Sequence, residues 1–112
     1  MGYDLHITRR DYWADEEGPT ISLEDWLSYV TSDPDVKPDP ENPGPQNWVI
    51  TSHPDRCPLW WDARGEIYTK NLDPVCIAKL VQIARALSAR VLGDDDEIYG
   101  TDPVDPTVFV RR

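Results

Sequence analysis

The sequence predicts an α+β fold: an antiparallel sheet of about four to six strands with two α-helices packed on one face. Three observations predict it. Apolar and polar residues alternate with period two near the N-terminus and again across 59–70, as in half-buried strands. Two stretches, 22–33 and 73–87, carry apolar residues at helical spacing behind capping residues. Short turn signals join the later strands, and tight turns force antiparallel pairing.

The elements follow in chain order. Over 3–9, Tyr3, Leu5 and Ile7 share one face and Asp4, His6 and Thr8 the other, which reads as a strand. An acidic loop with Tyr12 and Trp13 follows. Ser22 is an N-cap with Asp25 three residues on, and Ile21 and Trp26 stand at the two positions of a hydrophobic staple. Leu23, Trp26, Leu27 and Val30 form the apolar stripe of this first helix. Asp33-Pro34 ends it, because the residue before proline leaves helical geometry.

Residues 33–46 are rich in proline and acid and read as a long extended loop. A short strand is expected over 48–51, a turn over 53–55, and two strands over 59–62 and 66–70. Ala63-Arg64-Gly65 suits a three-residue hairpin loop with Gly65 left-handed. That register sets Trp60 opposite Tyr68 and Trp61 opposite Ile67. Leu59, Trp61, Ile67 and Thr69 then share the core face, and Trp60, Asp62, Glu66, Tyr68 and Lys70 the other.

Asp73-Pro74 is an N-cap followed by proline at the first helical position. Ile77, Leu80, Val81, Ala84 and Leu87 give this second helix a wide apolar face. Lys79, Gln82 and Arg85 make its polar stripe. Ser88 stands where glycine often closes a helix. Strands are expected over 89–92 and 97–99 around a turn at 93–96. The tail, 101–112, is extended, with an edge strand expected over 107–110. The whole chain, 1–112, reads as a single domain.

Composition narrows the function. Among 112 residues, 21 acids and 11 bases give a formal net charge of −10. Such a surface repels phosphate backbones and anionic membranes, so neither nucleic acid nor membrane is an expected partner. No apolar run approaches the roughly 20 residues of a membrane helix, and the N-terminal residues lack the apolar segment of a signal peptide. Two cysteines, Cys57 and Cys76, are too few for a disulfide framework. They read as free thiols in a cytoplasmic protein.

Several segments resemble a group of small uncharacterised bacterial proteins. They are Tyr3-Asp4-Leu5-His6-Ile7-Thr8-Arg9, Ile21-Ser22 with Glu24-Asp25-Trp26, Thr69-Lys70-Asn71, Ile83-Ala84 with Leu87, and Gly93-Asp94-Asp95 with Glu97 and Tyr99. The resemblance spans roughly 3–99. It implies a bacterial, intracellular, self-contained domain, with no assigned activity and no defined catalytic residues. The group's second helix usually closes with glycine where this chain has Ser88.

The residues offer little for catalysis. Asp94-Asp95-Asp96-Glu97 clusters hard oxygens but lacks EF-hand spacing, and reads as a polar turn. His6, His53, Cys57 and Cys76 lack zinc-site spacing. Cys57 near His53, with Arg56 adjacent, is the only local nucleophile–base pair. No glycine-rich phosphate loop is present. No catalytic residue, cofactor or metal ligand is therefore assigned.

The aromatic residues are more informative. Trp60 and Tyr68 stand side by side on the face opposite the helices, and Trp and Tyr favour binding surfaces. The expected partner- or ligand-binding residues are Asp4, His6, Trp60, Asp62, Glu66 and Tyr68. The expectation is a non-enzymatic, acidic protein-interaction module. Its partner is a basic protein, as for an immunity-type protein that masks a basic toxin, or a second copy in a homodimer. The alternative is a small enzyme or ligand-binding protein using the same open sheet face.

Overall fold

In the computed structural model, which describes residues 4–52, 57–70 and 73–111, eight strands and two helices form an α+β fold. The order is β1 (Leu5–Thr8), α1 (Leu23–Ser32), β2 (Val36–Pro38), β3 (Asn47–Ile50), β4 (Cys57–Asp62), β5 (Glu66–Thr69), α2 (Pro74–Ala86), β6 (Arg90–Gly93), β7 (Glu97–Tyr99) and β8 (Phe109–Arg111). The strands make one open sheet, ordered β2-β3-β4-β5-β1-β6-β7-β8, and every neighbouring pair is antiparallel. Tyr3, the 53–55 turn, Arg56 and Asn71 lie outside the described residues.

Eight strands exceed the four to six expected, and the first source of the excess is the 33–46 stretch. That stretch is not a continuous loop: β2 lies inside it and pairs Val36 with Ile50 and Pro38 with Trp48. Proline lacks an N–H and is tolerated on an edge strand, so the proline content that masks β2 in the sequence also fits its place at the edge. The tail likewise supplies β8, shifted slightly from the expected 107–110.

The hairpin has the register its turn dictates. Trp60 pairs with Tyr68 and Trp61 with Ile67. Gly65 sits at φ 90°, and its N–H donates to the Asp62 carbonyl at 2.8 Å. Leu5, Ile7, Leu59, Ile67 and Val91 belong to one buried cluster with Trp26 of α1 and Ile77, Leu80, Ile83 and Ala84 of α2. Pairing across the sheet puts Ile7, Ile67, Trp61 and Val91 in one row, so both helices cover the same face.

Both helices start as their sequences require. Ser22 accepts the Asp25 N–H at 3.0 Å, and the Asp73 side chain accepts that of Val75 at 2.8 Å. Within α1 only Trp26 is fully buried, and Leu27, expected in the apolar stripe, is exposed. Lys79, expected on the polar stripe of α2, instead turns inward to Asp33 at 2.8 Å. Burial opposes the Asp33 charge, but Lys79 and Tyr29 outweigh it and hold this carboxyl below its ordinary value.

The two cysteines are not free. A disulfide joins Cys57, at the start of β4, to Cys76 in the first turn of α2, and both residues are fully buried. The sequence gives no sign of this pairing because the two positions meet only once the fold brings the start of β4 to the first turn of α2.

Candidate functional site

The face opposite the helices carries a row running Ile98, Leu92, His6, Tyr68 and Trp60, set by the pairing of β7, β6, β1, β5 and β4. Glu66 and Asp62 share this face, since each lies two residues from a member of the row and successive side chains alternate sides. The six expected binding residues therefore gather here. Five of them, Asp4, His6, Asp62, Glu66 and Tyr68, line a cleft of about 300 Å³ together with Trp13, Arg64 and Lys70. Trp60 stands behind this wall, its ring centroid 5.2 Å from that of Tyr68.

The centre of the cleft floor is His6. It is buried, with Nδ1 2.9 Å from Glu66 Oε1 and Nε2 2.8 Å from Asp94 Oδ1. Trp13 lies flat on the imidazole, ring centroids 4.3 Å apart and planes within 4°. Burial disfavours a charged imidazole, but hydrogen bonds and charge from Glu66 and Asp94 outweigh it, so the His6 pKa is raised above its ordinary 6.5. As an imidazolium, His6 donates from both nitrogens, and the stacked indole adds a cation–π contact.

This arrangement corrects two sequence expectations. The expected open sheet face is partly closed. The acidic segment between β1 and α1 folds over it and brings Trp13 onto His6. Arg64 Nη2 holds that segment through the Trp13 carbonyl at 3.1 Å, and Arg10 Nη1 donates to the Asp15 carbonyl at 2.6 Å. Secondly, His6 and Glu66 are almost fully buried. They shape the floor and cannot offer a broad contact surface.

Trp13, Arg64 and Asp94 are the residues that sequence reasoning missed. Strand alternation places only strand residues, whereas Trp13 arrives by a loop and Asp94 by the β6–β7 turn. Asp94 is no simple solvated turn residue: besides His6, it accepts the Asp4 N–H at 2.8 Å.

The rim is ion-paired. Lys70 Nζ lies 2.8 Å from Asp4 Oδ1, and this bond raises the Lys70 pKa. Burial, then the charges of Asp62 and Asp4, raise the Tyr68 pKa, against the opposing charge of Lys70. Tyr68 is thus a neutral phenol in a net negative field. Among the described residues the Asp62 carboxylate accepts only the Arg64 N–H across the turn, at 2.9 Å, and a carboxylate has acceptor capacity beyond one bond.

Among the described residues one side-chain group has metal-ligand character. Atoms of Asp4, His6 and Asp94 lie within 4.8 Å of one another. Its members are already bonded, His6 to Asp94 and Asp4 to Lys70. A general-base role suits His6 poorly, because both ring nitrogens are engaged by carboxylates.

No family model, curated protein or solved structure matches this chain. Among the described residues no helix is long and apolar enough to cross a membrane.

Proposed function

We propose that this protein is a non-enzymatic binding module whose cleft receives a cationic side chain, a guanidinium or ammonium, from a basic protein partner. A basic toxin held by an immunity-type protein is one such pairing. The observation that carries the reading is that one cleft is lined by both the Asp62 carboxylate, whose charge acts on the Tyr68 phenol, and the Tyr68 ring, over a floor held rigid by His6. A carboxylate beside an aromatic face suits a cation, by ion pairing and by cation–π attraction. Around that point the carboxylates of Asp4, Asp62, Glu66 and Asp94 outnumber the basic side chains of His6, Arg64 and Lys70, and the net charge of −10 steers a basic partner toward the surface.

The alternative of a small enzyme on this face is weaker. His6 is clamped at both nitrogens, and no cysteine, serine or threonine lines the cleft among the described residues. The Cys57–Cys76 bond favours an oxidising compartment over the cytoplasmic location expected from the sequence.

The test is an NMR titration with two short peptides of equal length, one arginine-rich and one glutamate-rich. Shifts at Asp62, Tyr68 and Trp13 with the basic peptide alone support the reading. Shifts elsewhere, or none, reject it.

A further inference from the structure

The two edges of the sheet are built differently. β2 is Val36-Lys37-Pro38, with Val36 buried and Lys37 and Pro38 exposed. Lysine and proline are the usual means of keeping an edge from pairing with another chain. β8, at the opposite edge, has neither. Val108, Phe109 and Val110 run consecutively there, 43%, 43% and 48% exposed. Phe109 extends the helix-side row, its ring centroid 5.3 Å from that of Tyr99. Val110 extends the opposite row beside Ile98. Apolar side chains are thus offered on both faces of a strand whose outer backbone groups are unpaired among the described strands.

We propose that β8 pairs antiparallel with β8 of a second copy of this chain, joining the two sheets edge to edge. A two-fold axis perpendicular to the sheet at Phe109 sets Phe109 opposite Phe109 and Val110 opposite Val108 of the other copy, so apolar surface meets apolar surface. Pairing β8 with the β2 edge would instead place them against Lys37 and against Pro38, which has no N–H to give. The charge on the edge permits the self-pairing. Arg111 is the only described charge of β8, it reaches back to Glu97 at 4.0 Å, and antiparallel pairing carries the two Arg111 side chains toward opposite ends of the contact. The contact is short, so the dimer belongs to the small, weak class of interfaces.

The test is sedimentation equilibrium from about 10 µM to about 500 µM, the span over which a weak interface fills. Three chains are compared: the unaltered protein, Val110→Lys, and Val75→Lys at an exposed site on α2. Circular dichroism establishes that each is folded. Both variants lower the net negative charge equally, so general repulsion falls equally in each. The expected result is a rise toward twice the monomer mass for the unaltered chain and Val75→Lys, with Val110→Lys remaining monomeric. A monomer throughout, assembly beyond a dimer, or Val110→Lys associating like the unaltered chain overturns the proposal. So does equal loss of association in both variants.

Discussion

His6 and Trp13 are stacked, ring centroids 4.3 Å apart and planes within 4°, while Glu66 and Asp94 hold the two imidazole nitrogens edge-on. The imidazole is thereby enclosed from above and from two sides. The carboxylates that hold its proton also fix β1 to β5 and to the β6–β7 turn. A dependence of stability on pH follows from this clamp.

The His6 pKa is raised in the folded state, so its contribution is fully present below the ordinary value of 6.5 and is lost as pH rises through the folded value. Every pH unit by which the group is held up adds about 1.4 kcal/mol. Urea unfolding should therefore show stability declining from about pH 6 into the alkaline range. In His6→Gln that decline should vanish, along with about 1–3 kcal/mol at pH 6 from the buried carboxylate left poorly paired. The same pH slope in both proteins would place the titrating group elsewhere.

Ser88 closes α2 in the left-handed region, at φ 54°. The Ala89 N–H donates to the Ala84 carbonyl at 2.8 Å and the Ser88 N–H to that of Arg85 at 3.3 Å. These two bonds form a Schellman motif, which favours glycine at this position. Ser88→Gly should stabilise the protein by about 0.5–1 kcal/mol, as a Cβ penalty removed less some chain entropy. A lower urea midpoint in the variant would contradict this.

Gly65 has the opposite sensitivity. Its φ is 90°, and an added Cβ would overlap the Thr20 side chain. Gly65→Ala should cost about 2–4 kcal/mol, combining left-handed strain with overpacking. Equilibrium unfolding measures it, and a cost near zero would mean that the hairpin is not held against the residues leading into α1.

Cys57 and Cys76 are joined across a sequence separation of 19. A crosslink closing a loop of this size is worth about 3 kcal/mol. Protein purified without reductant should show no thiol by titration in denaturant, and reduction should lower its stability by about that amount. Two titratable thiols in the unreduced protein would remove the crosslink from the account.

Much of this fold was legible in local chemistry. Ser22 and Asp73 mark helix starts because capping is a contact between near neighbours. The Trp60–Tyr68 pairing follows from a three-residue turn. Meetings between distant segments were not legible. Trp13 reaches His6 through a loop, Asp94 through a turn, and Cys57 meets Cys76 only when the start of β4 comes to the first turn of α2. β2 escaped because its prolines suit a sheet edge as well as a loop. Of the site, alternation along β1, β4 and β5 gathered Asp4, His6, Asp62, Glu66 and Tyr68. It gave no hint that His6 and Glu66 would lie under a cover.

Binding of a cation in the cleft lined by Asp62 and Tyr68 is measured most directly by the affinity of an arginine-rich peptide by calorimetry. Asp62→Asn should weaken binding by roughly two- to fivefold, the worth of one exposed ion pair, and the difference should shrink in high salt. Glu24→Gln, the same charge change on α1, should leave the affinity within roughly the fraction that long-range screening allows. Equal affinities for the unaltered protein and Asp62→Asn, or equal losses in both variants, would contradict the account.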